Sequence, residues 1–593
     1  MTDSTREKEF LDRISELEFQ IKKIKNRKRY GLVWEDKIEK FDDDSKDALP
    51  ILREKGSEYP DIISNKNQDF NILIEGDNYH ALSVLSYTHK NKIDIIYIDP
   101  PYNTGNKDFV YNDHYVDKED RFRHSKWLSF MNKRLKLAKP LLSKEGVIFI
   151  SIGENEVAQL KLLCNSIFGE QNFVTQIIWL NNAKGRQMDL HIKNTYEQIL
   201  VYAKNLKKLN SNKEKEIVSI EELQCDDISF YEKGYPLHNG TAEFHINNRP
   251  KLAYSIYYHH KKKHAIVLDE KIKNKDGSLK IGDPTKIELI QKGYERIIPK
   301  FNTKYNNQRV WAWGNEKFLK EYKTELLFVE ENEGTYIYKK KRYEEGGVHW
   351  KKFKNYIEID GGVGKNELLN ILSEKKFDNP KPLSLIKHLI GIFTKENSII
   401  LDFFAGSGTT GHAVLDFNRD EIGNRTFILC TNNERKICED VTYQRIKKVI
   451  NGYNDRKGNK IDSLGGNLKY LKVDFIKVEK NSIDSLKDKI VQGLTEILCL
   501  KENTFELVLD NYRENKIKIF KNFFRYNAIL FDLFYFEDFV EQLRELKDKP
   551  VSVYIFSYTK EFSKEEFGEL NIEFTVEAIP EKILETYKKI FNF

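Results

Sequence analysis

Two short runs, IDIIYI at 93–98 and VIFISI at 147–152, are apolar at nearly every position and not at alternate ones. A strand with one wet face alternates, so an unbroken apolar run bounded by polar turns needs cover on both faces. That requirement points to a parallel sheet sandwiched between helices. The flanking segments supply the cover. Residues 79–87 and 157–168 read as helices, and 124–142 reads as a basic amphipathic helix carrying Trp127, Phe130, Leu135 and Leu142. Strands are expected at 71–75, ending in Gly76-Asp77, at 174–180 and at 198–202. The alternation implies βαβ units.

The alternation breaks near residue 205, where a Lys- and Asn-rich stretch begins, and resumes with a strand at 398–402, a helix near 408–416 and a strand at 425–431. The expected organisation is one α/β domain made of 71–204 and 376–465, with 205–375 inserted into it as an α+β domain. Residues 466–593 form a third, small α+β block. Residues 1–70 hold an opening helix and an irregular segment. In that helix Phe10, Ile14, Leu17, Ile21 and Ile24 make a heptad seam, too short to hold a coiled coil unaided. It suits packing on its own domain or a contact between subunits. A chain of 593 residues exceeds what one core can serve.

Composition narrows the classes. The balance of 98 basic against 92 acidic residues gives +6, which permits a nucleic-acid partner without demonstrating one. Five cysteines without CxxC spacing suggest neither a disulfide frame nor a metal site, and a reducing cytoplasm suits them. No apolar run approaches the ~18 residues of a membrane span. The start, MTDSTREKEF, has no apolar signal core, so a cytoplasmic protein is expected.

Two motifs follow strands. The first, Asp99-Pro100-Pro101-Tyr102, comes directly after IDIIYI, at the carboxyl end of a strand, where open α/β sheets bind ligands. An exocyclic amine on a nucleobase is a poor nucleophile because its lone pair is delocalised into the ring. The Asp99 carboxylate and the Pro100 carbonyl could take its two hydrogens and draw the nitrogen toward tetrahedral geometry. The prolines fix φ and lack an N–H, so the carbonyl can turn into a pocket. Tyr102 offers a stacking face, and a duplex base would reach it only by flipping out. An ordinary Asp-Pro-Pro turn is the plain alternative.

The second motif, Leu401 to Gly411 (LDFFAGSGTTG), follows the strand at 398–402 and opens a helix. Gly406, Gly408 and Gly411 match GxGxxG, and Glu434 stands past the next strand, where it could accept from ribose hydroxyls. Those features suit NAD and S-adenosylmethionine equally. Asp402, just before the turn, could hold a cationic ammonium, and the first motif offers amine activation without any hydride-transfer apparatus. Together they favour methyl transfer.

DPPYNTG at 99–105 followed by DFFAGSGTTGHAV at 402–414 resembles the β class of amino-group DNA methyltransferases, in which the catalytic motif precedes the cofactor motif and target recognition lies between. KNRKRYGLVWEDK (25–37), NILIEGDNYHALSVL (71–85), DRFRHSKWLSFMNKRLKLAKPLLSKEGVIFISI (120–152), NRPKLAYSIYY (248–258) and RVWAWG (309–314) are similar to the modification (Mod) subunits of type III restriction–modification systems. The resemblance implies a Rossmann-like α/β fold, S-adenosylmethionine as cofactor, and transfer to adenine N6 in double-stranded DNA. It also implies a homodimer and a nuclease–helicase restriction (Res) partner. Asp99, Pro100, Pro101 and Tyr102 would make the target-amine site, and an initial Asp is typical of adenine enzymes. Asp402, Phe404, Ala405, Gly406, Ser407, Gly408 and Thr409 would line the cofactor. Lys381, in FDNPKP (377–382), belongs to the segment that closes over the methionine moiety. Asp77 would approach the cofactor's adenine edge, and Glu434 its ribose. Gly153-Glu154 stands where the family often has Asp-Asp, and Thr431-Asn432-Asn433 precedes Glu434 where the family varies. A stand-alone methyltransferase, cytosine-N4 or RNA methylation, and a mainly DNA-recognising role remain the alternatives.

Weaker features complete the reading. The loop YNTGNKDFVYNDHY (102–115) could close on a flipped base with Phe109 or Tyr111 as its second wall, or could be a surface loop with its own small core. The basic stretches at 259–264, 339–342 and 351–352 could grip phosphates or be solvated. GGVGK at 361–365 lacks the Ser or Thr and the glycine placement of a phosphate loop.

Overall fold

The computed structural model describes residues 34–37, 39, 48–106, 108–111, 114–185, 191–238, 241–332, 334–421, 423–477, 483–509, 512–557, 562–580 and 583. The helix expected at 5–27 lies outside them. The chain divides into two compact units, one taking residues up to 212 and from 354 onward, the other residues 213–353.

In chain order the first unit runs β1 (Ala48–Glu54), β2 (Phe70–Glu75), α1 (Asn78–Thr88), β3 (Ile93–Ile98), α2 (Arg123–Leu141), β4 (Leu142–Ile152), α3 (Val157–Phe168), β5 (Phe173–Leu180) and β6 (Tyr196–Ala203). It resumes with β7 (Tyr356–Glu358), α4 (Gly362–Leu372), α5 (Leu383–Gly391), β8 (Ile399–Asp402), α6 (Thr409–Asp420), β9 (Thr426–Thr431), α7 (Gln444–Asn451), β10 (Asn467–Lys477) and α8 (Ile483–Glu502). The strands make one sheet in the order β1-β10-β2-β9-β8-β3-β4-β6-β5-β7, with Ile62–Ile63 pairing to β10 as well. Every pairing from β10 to β4 is parallel, and β6 runs antiparallel to both β4 and β5. This is the mostly parallel sheet expected of the apolar runs, and the Rossmann-like arrangement that the resemblance implies.

The runs are buried for the reason their composition gives. Ile93, Ile95, Ile96 and Ile98 of β3 have no exposure at all, each worth ~1.5–3 kcal/mol of apolar burial. One face of the sheet packs in a common core with Leu82 of α1, Trp127 and Leu135 of α2, and Leu163 of α3. Asp77 caps α1 by accepting from the Tyr79 N–H at 2.7 Å. On the other side α6 packs on α5, α7 and β9.

Three boundaries differ from the expected ones. Residues 354–375 belong to the α/β unit, because β7 extends the sheet beside β5, with Ile357 level with Trp179. At three residues β7 is too short to show any periodicity. β1 and β10, outside 71–465, complete the sheet's other flank, with β10 inserted between β1 and β2. The C-terminal block also shares core with the main sheet. Its five strands, Glu506–Leu509, Ile517–Lys521, Tyr526–Leu530, Val551–Ser557 and Phe574–Pro580, pair in that order. Ile497 of α8 joins Ile529 and Ile579 to the core that holds Ile74 and Leu85.

The second unit is built around an antiparallel sheet of Gln224–Cys225, Phe230–Pro236, Gly334–Tyr343 and Leu326–Glu331. A three-stranded sheet with Ser255–His259 at its centre and a helix, Asn315–Glu325, accompany it. Tyr254, Trp311, Phe318 and Ile337 form its core. Three of the four cations of the basic run at 339–342, read as a possible phosphate grip, pair with carboxylates inside this unit. Arg342 pairs with Asp226 at 3.0 Å and Glu325 at 2.9 Å, Lys340 pairs with Asp226, and Lys341 reaches Glu216 and Glu232.

Candidate active site

β3 and β8 are parallel neighbours, with Ile96 opposite Leu401. Asp402 therefore ends β8 one residue past that pair, and Asp99 follows β3 three residues past it. Both tips open into one cleft of about 1350 Å³. Asp99 to Tyr102, Asp402 to Ser407, Thr409, Asp77, Lys381 and Glu434 all line it. Gly408 and Gly411, both singled out by motif, do not line the cleft.

At the β3 tip the two prolines are handled differently. The Trp127 indole N–H donates to the Pro101 carbonyl at 2.7 Å, while among the described residues nothing donates to the Pro100 carbonyl. Asp99 Oδ2 accepts from the Lys381 ammonium at 2.6 Å, and its buried Oδ1 has no partner. Burial pushes the Asp99 carboxyl upward, against the pull of Lys381. Tyr102 donates its hydroxyl to Glu197 Oε2 at 2.8 Å. Its ring lies where a side chain on residue 153 would sit, 2.9 Å from a built Cβ. The Gly153 that departs from the family habit thus makes room for that ring.

At the β8 tip the glycines carry the geometry. Gly406 and Gly408 have φ of +49° and +74°, values that favour glycine. The turn is closed by Gly408 N–H to the Ala405 carbonyl at 2.8 Å and by the Thr442 hydroxyl to the Gly406 carbonyl at 2.6 Å. Asp402, expected to face a cofactor ammonium, spends both oxygens on this turn. Oδ1 takes the Phe404 N–H at 3.0 Å and Oδ2 the Thr410 hydroxyl at 2.5 Å. Burial pushes its pKa up to about 7. The buried Arg445 stands behind the turn and donates to Thr409 Oγ1 at 2.7 Å. Lys381, grouped by motif with the cofactor segment, instead stands at the other tip, on Asp99.

Phe109 and Tyr111 line the cleft but are buried, Phe109 packing edge-on to Phe130 at 5.3 Å. They belong to the same core as the main sheet and α2. Phe130 continues to Phe404 at 5.9 Å, joining that core to the glycine turn.

Three residues at the cleft escaped the motif reading. Glu197 is the second residue of β6 and carries no local signal. Asn78 donates to the Phe403 carbonyl at 2.9 Å. Arg134, fully buried on α2, pairs with Glu39 at 3.0 Å and Asp77 at 3.2 Å, donates to Asn78 Oδ1, and covers the Phe130 ring at 3.6 Å. A signal for Arg134 existed: it follows Trp127 by seven residues, on the helix's apolar stripe.

Among the described residues no helix is long and apolar enough to cross a membrane, and no cluster of His, Cys, Asp and Glu could hold a metal.

The chain matches the DNA methylase family (N6_N4_Mtase) over residues 93–442. It is 34% identical over 400 residues to the type III restriction-modification enzyme EcoPI Mod subunit of Escherichia phage P1, covering 62% of this chain and 58% of that protein. It is 32% identical over 400 residues to the StyLTI Mod subunit of Salmonella typhimurium, covering 63% and 54%. It is 32% identical over 419 residues to the type II methyltransferase M.KpnI of Klebsiella pneumoniae, covering 65% of this chain and 89% of that one. The chain therefore spans little more than half the length of the two Mod subunits but most of M.KpnI. With both motifs on one cleft and the family matched across more than half its length, the chain belongs to the N6/N4 DNA methylases.

Proposed function

We propose that this chain methylates adenine N6 in duplex DNA as the modification and recognition subunit of a type III restriction–modification system. The observation that carries the reading is the shared cleft. An amine-accepting tip and a glycine turn end adjacent parallel strands and face the same space. The similarity to two Mod subunits supports the type III assignment. The similarity to M.KpnI keeps a stand-alone methyltransferase as the alternative.

The residues fit S-adenosylmethionine. Backbone is bare at Gly406, where a built Cβ would meet the Phe377 ring at 3.1 Å. The walls carry Asp77 and Glu434, carboxylates that can accept from the cofactor's hydroxyl and amino groups. Phe404 to Ser407 would hold the nucleoside, with Glu434 at the ribose and Asp77 at the adenine edge. When bound, the cofactor supplies an electrophilic methyl on a positive sulfur. The Asp99 carboxylate and the free Pro100 carbonyl accept the two hydrogens of the target amine, leaving its lone pair aimed across the cleft. Tyr102, fixed through Glu197, stacks on the base, and the flipped state costs a few kcal/mol. The amine's surplus proton passes to the Asp99 carboxylate and on to solvent. Positioning supplies much of the rate, since no covalent enzyme adduct is needed.

Residues 213–353 would read the target, the chain would work as a homodimer, and a nuclease–helicase would join it. Purified protein, tritiated S-adenosylmethionine and DNA test the reading. N6-methyladenine at one short sequence, located by long-read sequencing, supports it. N4-methylcytosine moves it to the cytosine alternative, and no transfer overturns it. Co-purification with a large ATPase separates the type III subunit from a solitary enzyme.

A further inference from the structure

The cleft holds an ion pair that neither motif demands. Lys381 lies between Pro380 and Pro382, whose rings fix φ on both sides, and its side chain is only 12% exposed. The ammonium sits 2.6 Å from Asp99 Oδ2 and 3.7 Å from Glu197 Oε2. Glu197 is itself held at both oxygens, by the Tyr102 hydroxyl at 2.8 Å and the Asn181 amide at 2.9 Å. One cation thus serves two carboxylates, and one carboxylate anchors both that cation and the stacking ring.

We propose, building on the methyltransferase reading, that Lys381 is a positioning residue for methyl transfer: its ion pair keeps Asp99 a carboxylate that accepts the target amine's hydrogen, and Glu197 holds Lys381 and Tyr102 in place for it. The charged and titratable groups facing Asp99 are Lys381, Glu197, Tyr102, Tyr97 and Asp402. Lys381 is the one cation among them. Asp99 Oδ1 is buried without a donor, burial favours its neutral form, and Glu197 repels its charge. A neutral Asp99 acid carries a hydrogen of its own where the amine's hydrogen must be received. Removing Lys381 therefore lets Asp99 take up a proton at a pH where it is needed bare.

Lys381→Met, Lys381→Arg and Glu197→Gln in the full chain test this, with tritium transfer to DNA followed from pH 5.5 to 9.5 and S-adenosylmethionine affinity measured by calorimetry. In Lys381→Met the acid limb of the rate profile is expected to climb by about one to three pH units. The rate near neutrality should fall roughly ten- to hundredfold, with much of it recovered at alkaline pH. Cofactor affinity stays near wild type. Lys381→Arg keeps the limb where it was. Glu197→Gln removes a like charge and moves the limb down or leaves it, opposite in sign to Lys381→Met. A merely structural role would lower rates without shifting the two limbs apart. An unmoved limb in Lys381→Met, or a loss confined to cofactor affinity, overturns the inference. Should that variant not fold, an upward shift in Glu197→Gln overturns it. If the unchanged chain transfers no methyl to DNA, the methyltransferase reading falls and this inference with it. Transfer by the unchanged chain with no shift in the variants sinks the inference alone.

Discussion

Asp99 and Asp402 end neighbouring parallel strands, line one cleft, and are both pushed upward by burial. Their hydrogen bonds differ. Asp402 has both oxygens taken by its own turn, the Phe404 N–H and the Thr410 hydroxyl. Asp99 has one oxygen without a donor and the other on a lysine 282 positions away in sequence. An acid whose oxygens are consumed locally builds a turn. An acid left with an unmade bond holds a capacity that a ligand can fill, because an unpaired buried acceptor is costly unless something arrives to meet it. The same residue type at the carboxyl ends of two adjacent strands thus separates scaffold from chemistry.

The largest expected effect tests the open acid. Asp99→Ala should cut methyl transfer by about a thousandfold or more while leaving cofactor affinity and melting temperature close to wild type. It removes the ion pair to Lys381 and an interaction with the Tyr102 hydroxyl. Tritium transfer, calorimetry and a thermal melt read the three quantities. If affinity collapses together with rate, the two tips do not divide the labour and the contrast fails.

Asp402 should behave the other way. Asp402→Ala leaves the Phe404 N–H and the Thr410 hydroxyl unpaired, at roughly 2–3 kcal/mol, and weakens cofactor binding through the loosened turn. Its pH signature has a definite sign. The folded pKa of about 7 lies above the ordinary 3.8, so the folded state binds the proton more tightly. The stability from this group is whole below about pH 4 and is lost as pH rises through about 7. Asp402→Asn cannot titrate, so wild type should lose stability relative to that variant between pH 5 and pH 8, by up to about 2.5 kcal/mol. Melting curves at the two pH values decide it, and a gap that stays constant or moves the other way refutes the assignment.

What could be seen in the sequence was local. IDIIYI announces a doubly covered strand by its own composition, and Asp99-Pro100-Pro101-Tyr102 and the Phe404–Gly408 turn carry their chemistry within a few residues. What could not be seen depends on partners brought from afar. Nothing near Lys381 says that it meets Asp99, and nothing in β6 marks Glu197. Nor does the run at 339–342 disclose that Asp226, Glu216 and Glu325 wait for it on neighbouring elements. The three-residue β7 and the insertion of β10 between β1 and β2 are questions of strand pairing, which short segments do not encode. Arg134 is the intermediate case. Its place on the stripe of Trp127 was visible, but the distant acceptors it satisfies, on Glu39, Asp77 and Asn78, were not.

The smallest effect sharpens the contrast from the glycine side. Gly408 lies outside the cleft lining yet sets the turn, with φ of +74° and a built Cβ 3.1 Å from Thr442 Cγ2. That threonine's hydroxyl holds the Gly406 carbonyl at 2.6 Å. Alanine at 408 would pay about 1 kcal/mol for the left-handed backbone and press on Thr442, so the Gly406 carbonyl loses part of its brace. The expected result is a loss of about 1 kcal/mol in stability and a roughly fivefold weaker cofactor affinity, with the acid limb of the rate profile unmoved. The limb belongs to Asp99 and Lys381, which the substitution does not touch, whereas affinity belongs to the turn. Calorimetry and a rate profile on the same preparation separate them. A shifted limb in Gly408→Ala would mean that the turn and the carboxylate are mechanically one device, and that the division drawn between the two strand tips holds only for their hydrogen bonds.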